Sequence, residues 1–308
     1  MRRKKINKFN SDIRVHKKIA WGPYLLISPA MILITLIMLY PLCWVFYLAL
    51  QKYNPTMPFA NHFCGFDNFI KIFTTSEFYS ALIVSLKWVA SEVLLQLVFG
   101  LIIALILNQK FKGRGIFRAI TFVPWAMSGV LTAVLFSLIF NQNFGVLNSI
   151  LMKLGFITNN IAWLANAKLV LGSVIIAELW RGIPFFAISL LAAMQGFPQD
   201  VYEAARVDGA NRLQTFKSIT LPLLKNTILL TTLLRTIWEF NSVDLIYSLT
   251  GGGPVGKTTT LSMLIANQAL STNNYGYGSA ISVISFFILA FTAFIYIKAS
   301  GFGKESEA

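Results

Sequence analysis

The sequence predicts an all-α integral membrane protein of six transmembrane helices with one structured cytoplasmic loop. Three observations predict it. Of 308 residues, 56% are hydrophobic and only 12% charged, whereas soluble domains carry about 25% charge. Six stretches of about 20 largely apolar residues recur, each long enough to cross the hydrocarbon core as a helix. Finally, the Lys and Arg residues outside those stretches concentrate in alternate connecting segments, the pattern that sets membrane orientation.

Residues 1–20 hold eight Lys/Arg and are read as a basic cytoplasmic N-terminal segment. The apolar run after them, 25–50, is too long for a secretion signal and lacks its small-residue cleavage site, so it is expected to stay as the first span. The remaining spans are 81–108, 116–140, 169–194, 223–249 and 279–298. Together they form one transmembrane domain over 21–300, in which the polar segment 195–222 is a loop with structure of its own. Residues 301–308 form a C-terminal tail. With the N-terminus inside, eighteen Lys/Arg fall on the inner side: the first eight, four in 108–118, four in 195–225, Lys298 and Lys304. Only Lys52, Lys71, Lys153, Lys168 and Lys257 fall outside. This bias puts both termini in the cytoplasm. It also accounts for the net charge of +14 without a nucleic-acid partner, because the basic residues flank apolar runs and form no single patch. Cys43, Cys64, His16 and His62 offer neither a disulfide framework nor metal-ligand spacing, and no cofactor or metal is expected.

Residues 251–258 read GGGPVGKT and satisfy the phosphate-loop pattern G-x-x-x-x-G-K-[ST]. A phosphate loop needs a buried strand before it and a helix N-terminus after it, so that successive N–H groups converge on phosphate oxygens. Here a membrane span precedes the glycines, a Pro interrupts the cradle, and Lys257 lies outside, away from ATP. The segment is therefore expected to be a Gly-rich extracytoplasmic turn.

The segment 196–226 reads GFPQDVYEAARVDGANRLQTFKSITLPLLKN. Asp200 is placed to cap a helix, with Glu203 reaching back as in a capping box, and Gly209 to end it in a left-handed turn. The helix expected, 201–208, is too short to be stable alone and needs a partner surface. Val201, Tyr202, Ala204, Ala205 and Val207 give it apolar area, and both alanines would admit another backbone closely. A second helical stretch, 210–220, leads into the fifth span.

Glu203-Ala204-Ala205, Gly209 and Ile219-x-Leu221-Pro222 reproduce the EAA---G---------I-LP signature of permease subunits of binding-protein-dependent ABC importers, which this chain resembles. Seven fixed positions at fixed spacing arise by chance in fewer than about one chain in ten thousand. The similarity covers nearly the whole chain and points to the carbohydrate-uptake, maltose- and glycerol-phosphate-type branch: SPAMILITLIMLYP at 28–41, GFDNF at 65–69, WRGIPFF at 180–186 and WEFNSVDLIYSLTGGGP at 238–254. The resemblance implies a multi-pass protein of a bacterial plasma membrane. A homologous second permease subunit, two cytoplasmic ATPase subunits, an external solute-binding protein and a sugar substrate would be its partners, and no covalent chemistry would occur on this chain. The short helix, with Glu203, Ala204, Ala205, Asp208 and Gly209, would be the coupling helix seated in an ATPase cleft. A self-sufficient secondary transporter or channel is the alternative; its spans would show inverted repeats or a broken-helix ion site.

Lys87, Glu92, Glu178, Arg181, Arg235 and Glu239 lie within predicted spans, where a central charge costs at least about 2.5–3.5 kcal/mol. Glu178, Arg181 and Phe185 share one face of the fourth span; Arg235, Trp238, Glu239 and Ser242 share one of the fifth. Both faces should point into the protein. The resemblance implies that Glu178, Arg181, Gly182, Phe185, Arg235, Trp238 and Glu239 line the sugar pathway. Equally, Arg181 with Glu239, or Glu178 with Arg235, can simply neutralise each other, and both uses can hold at once.

Overall fold

The computed structural model describes residues 21–300, so the expected basic segment 1–20 and tail 301–308 lie outside the described residues. The chain divides into two units, residues 1–45 and 46–308, taken here one at a time. In the first, α1 (Trp21–Ile34) passes through a π-helical stretch, Thr35–Leu39, into α2 (Tyr40–Ala49), which runs on into the second unit. Leu26, Leu36, Ile37 and Met38 are all more than 60% exposed, as suits a helix whose solvent is lipid. Pro29 sits inside α1 and has no N–H for the Leu25 carbonyl. The Ser28 hydroxyl donates to that carbonyl instead, at 2.9 Å.

The second unit opens with a two-stranded antiparallel ribbon, β1 (Gln51–Lys52) and β2 (His62–Phe63), followed by α3 (Asp67–Thr74) and the 33-residue α4 (Ser76–Asn108). Next come α5 (Arg114–Ala126), α6 (Gly129–Ile139), α7 (Val146–Lys153) and α8 (Val170–Gln195). The loop after α8 carries α9 (Gln199–Val207) and α10 (Arg212–Thr215), which continues through a π-helical stretch into α11 (Leu221–Asn241). The described residues end with α12 (Asp244–Thr250), α13 (Leu261–Leu270) and α14 (Tyr275–Ser300).

Among the described residues four helical runs are long and apolar enough to cross a membrane, and a bent pair makes up to five. Three expectations change. The third span is not one helix: α5 and α6 meet at 96°. Helix α5, with Pro124 inside its last turn, ends at the extended Met127, and the extended Ser128 starts α6 afresh, its hydroxyl accepting from the Leu131 N–H. The fifth span stops at Asn241, because donors elsewhere in the fold take its last carbonyls. Trp88 Nε1 donates to the Glu239 carbonyl at 3.2 Å and Ser262 Oγ to that of Phe240 at 2.5 Å, so α12 is a separate helix. Lastly, the stretch expected as one helix over 210–220 is the short α10 plus the π-helical turn Phe216–Thr220.

Helices α4 and α8 pack side by side and run parallel. Trp88 clusters with Val174 and Ala177, and further along both helices Leu107 clusters with Leu190 and Met194. The helices come close at Gly100, where a Cβ would meet Phe186 and the Ala187 backbone. Helix α11 runs antiparallel to both, its Leu224 joining the Leu107 cluster while Glu239 lies beside Trp88. In turn α14 opposes α11: its Gly276 N–H donates to the Tyr53 carbonyl and Tyr296 to that of Leu229. The polar residues of α4, α8 and α11 therefore fall at one level, between two apolar clusters.

Candidate functional site

At that level Glu178 is buried on α8 with both carboxylate oxygens occupied. Arg181, one turn on, donates through Nε at 2.9 Å and Nη2 at 3.0 Å. Arg235 of α11 donates through Nη2 at 2.9 Å to Oε1. The same Nη2 lies 2.6 Å from Glu239, and Arg235 Nε donates to Gln96 Oε1 of α4 at 2.6 Å. Gln96 closes the circuit by donating to Glu92 at 2.8 Å and Glu239 at 3.1 Å. Three carboxylates and two guanidiniums thus hold one another in the apolar interior, as buried charges must. Of the two pairings expected, Glu178 with Arg235 forms. Arg181 takes Glu178 rather than Glu239.

Gly182 is there for space. A Cβ on it would strike Gln96 Nε2 and Arg235 Nη2, so α8 must lack a side chain where the network crosses it. On one flank the charges give way to rings. Phe185 and Trp238 pack with centroids 5.1 Å apart, and the Arg235 guanidinium lies 5.9 Å from the Phe185 centroid. Trp238 is 46% exposed, and the side chains of Arg181 and Asp244 are 21% and 47% exposed. Those three groups, with the partly exposed Phe185, are what this site shows to its surroundings.

Sequence reasoning missed Gln96, Trp88 and Asp244 and gave Glu92 no role. Gln96 could have been found, since it stands four residues after Glu92 on an otherwise apolar helix face. Asp244 had no such signal: it lies beyond the break after α11, where it faces Gly129 at the start of α6 and approaches Arg181 to 3.9 Å. Lys87 is exposed and outside the network.

The short helix of the polar loop is α9, and its ends differ from expectation at one side only. Pro198 stands before its first turn and no side chain caps it, so the capping box expected of Asp200 and Glu203 is absent. Helix formation starts early enough to place Asp200 inside the first turn. A capping box exists instead at α10, between Asn211 and Gln214. The other end is as expected. Gly209 has φ +75°; its N–H donates to the Arg206 carbonyl and that of Ala210 to Ala205, at 3.1 and 2.9 Å, the bonds of a left-handed helix stop. Around α9, Tyr202 and Ala205 face inward, and the Tyr202 hydroxyl lies 3.3 Å from that of the buried Thr220. Glu203, Ala204, Val207 and Asp208 are exposed, Val207 at 88%. Only one of the two alanines, Ala204, therefore offers a surface to another backbone.

The GGGPVGKT segment has most of its N–H groups spent internally. Those of Gly252, Gly253, Lys257, Thr258 and Thr259 donate to Thr250 Oγ1 and to the carbonyls of Thr250, Pro254, Gly252 and Gly256. Thr258, where a phosphate loop keeps its metal-binding hydroxyl, is fully buried and donates to the Gly253 carbonyl at 2.9 Å. No cradle is left for a phosphate.

Residues 96–300 match the family described as binding-protein-dependent transport system inner membrane component. A trehalose/maltose transport system permease protein of Thermococcus litoralis is 36% identical over 92% of this chain and 94% of its own length. The sulfoquinovosyl glycerol transport system permease protein of Agrobacterium fabrum is 33% identical over 89% and 88%. Among solved structures, a chain of a bacterial ABC transporter involved in import of the acidic polysaccharide alginate superposes with a TM-score of 0.79 at 23% identity, covering 91% of this chain and 95% of that one.

Proposed function

Because the chain belongs to the family of inner membrane components of binding-protein-dependent transport systems, we propose that it forms, with a homologous second permease subunit, the membrane pathway of an ATP-driven importer for a sugar or sugar-like solute. Hydrolysis then resides on two separate cytoplasmic ATPase subunits, and an external binding protein delivers the solute. The observation that carries this reading is α9. It is a nine-residue helix pinned on its inner side, exposed along Glu203, Ala204, Val207 and Asp208, and stopped by the left-handed Gly209. A helix this short is not stable alone, and its open face has the size and chemistry to sit in a partner's cleft. The transport relatives named for sugars support the substrate class.

The packing favours six crossings within 21–300. Because α4 and α8 run parallel, the chain between them must return across the membrane, which the bent pair α5–α6 is placed to do. Antiparallel α11 then crosses back and α14 returns, leaving α9 on the side of the Lys/Arg-rich segments. We read residues 195–222 as the cytoplasmic coupling loop and both termini as cytoplasmic.

Mechanically, α9 is tied at both ends to the site. Toward the N-terminus a few residues join it to α8, which carries Glu178, Arg181, Gly182 and Phe185. In the other direction, α10 and the π-helical turn run without a break into α11, which carries Arg235, Trp238 and Glu239. The Tyr202–Thr220 contact braces that junction. ATP-driven closure of the ATPase pair, moving α9 as a rigid body, would therefore shift the two site helices against each other. In the pathway the buried pairs hold Arg181 in place, while the ring of Trp238 suits the apolar C–H face of a sugar and Arg181 and Asp244 suit its hydroxyls.

The test is uptake and hydrolysis by the assembled importer carrying Glu203→Lys or Gly209→Val, with Gln142→Lys in an outer loop as control. Both variants should insert in the membrane yet transport at least about tenfold more slowly, with hydrolysis no longer stimulated by the loaded binding protein. Wild-type rates in both would make residues 199–209 a mere linker.

A further inference from the structure

Eleven residues beyond Gln96 along α4, about 16 Å, a separate groove of about 440 Å³ opens between α5 and the last turns of α4 and α8. Leu107 and Gln195 mark it as lying at the helix ends, at the level where membrane meets water. Phe122, Ile188 and Leu191 give it an apolar wall. Into it Arg118 brings a guanidinium whose Nε and Nη2 are buried and make no hydrogen bond; no acidic residue among the described residues pairs with it. Nε and Nη2 form one edge of the guanidinium, the fork that takes two oxygens of a carboxylate or phosphate at once. The negative ends of α4 and α8 favour a cation there but leave both donors unsatisfied, and buried unsatisfied donors are costly. Next to the groove, Lys110, Lys112 and Arg114 line a second, open hollow, so these neighbours add positive charge.

We propose that this groove binds an anionic phospholipid, its phosphate on the Arg118 fork and one acyl chain against Phe122, Ile188 and Leu191. Charge complementarity selects the anion, and the apolar wall selects a lipid over a free ion. Arg118 would then anchor α5, the first half of the bent pair, at the membrane surface.

The experiment is native mass spectrometry of the assembled importer released from micelles doped equally with phosphatidylglycerol and phosphatidylcholine. Phosphatidylglycerol should be retained about tenfold over phosphatidylcholine. Arg118→Gln should abolish the preference, Arg118→Lys keep part of it, and Lys153→Ala leave it whole. Millimolar inorganic phosphate should not displace the lipid. Equal retention of the two lipids by the wild-type importer overturns the proposal, including the case where a partner subunit's carboxylate fills the fork. So does an unchanged preference in Arg118→Gln, while displacement by inorganic phosphate would reassign the site to a soluble anion. Should Arg118→Gln fail to assemble, the wild-type comparison of lipids decides alone. Because the readout is bound lipid rather than uptake, its failure leaves the importer reading untouched.

Discussion

Glu178 and Glu203 are both acidic residues on helices that carry the proposed function, and they stand in opposite surroundings. Glu178 is 1% exposed and both its oxygens are held by arginines of its own chain, Oε2 by Arg181 and Oε1 by Arg181 and Arg235. Glu203 is exposed on α9, beside exposed Ala204. Inside lipid a charge must find its partner within the protein, so the ion pairs of α8 and α11 form within one chain, although Glu92 Oε1 and Glu239 Oε2 are left without a hydrogen-bond partner. Where a polar loop meets water, water serves a polar group until a partner arrives, and α9 can keep its outer face open. The glycines repeat the contrast. Gly182 is required for space, Gly209 for its backbone angle, with nothing within 4 Å of a Cβ built on it.

The largest effect expected from breaking the closed region is at Arg235. Arg235→Met leaves Glu178 and Glu239 buried with one fewer counter-charge, a loss of about 3–5 kcal/mol for a broken buried pair. It should appear as a lowered unfolding midpoint of the purified protein, and adding Glu239→Gln should recover part of it. An unchanged midpoint in the single variant would mean that the network does not hold the helices.

The two glycines sharpen the comparison. Gly182→Ala should destabilise by about 1–3 kcal/mol through overpacking, and Gly182→Asn by more. At Gly209 the order reverses, because Asn visits the left-handed region more readily than Ala, whose strain there is about 1–2 kcal/mol. Unfolding midpoints and uptake of the four variants test this, and the same ranking at both positions would refute the assignment of space to one and angle to the other.

Arg181, partly exposed beside the closed network, should matter to transport more than to stability. We expect Arg181→Ala to slow uptake about tenfold while Lys153→Ala at the end of α7 leaves it intact. Equal, small effects would remove Arg181 from the pathway. The smallest change is expected at Lys257, exposed in a turn most of whose amides are already bonded within it. Lys257→Ala should shift stability by no more than about 0.5 kcal/mol and leave uptake near wild type; a loss of orders of magnitude would restore the phosphate-loop interpretation.

Much of this was legible beforehand because it depends on short-range rules. The left-handed stop at Gly209 follows from a residue without a Cβ after a short helical pattern. The intramembrane charges stood out by their cost, and the mutual need of Glu178 and Arg235 followed from it. The capping of α9 was misjudged because Asp200 and Glu203 fit a local pattern that Asn211 and Gln214 fit as well; which pair forms depends on where the chain leaves α8. The break after Asn241 left no local mark either, since Trp88 and Ser262, which take the carbonyls there, come from remote parts of the chain.

Composition and periodicity by themselves determined the all-helical membrane class, the level of the charged residues along each helix and the helix stop at Gly209, because burial cost, span length and backbone angle are properties of a segment and its solvent. Only the tertiary structure decided that Glu178 holds two arginines, that Gln96 joins α4 to them, that Asp244 meets the start of α6 and that one alanine of α9 faces inward. Those outcomes depend on which helices become neighbours. In an apolar interior each buried donor and acceptor must be matched, so the partner is whichever group the packing brings within about 3 Å, and that distance belongs to the fold rather than to any segment.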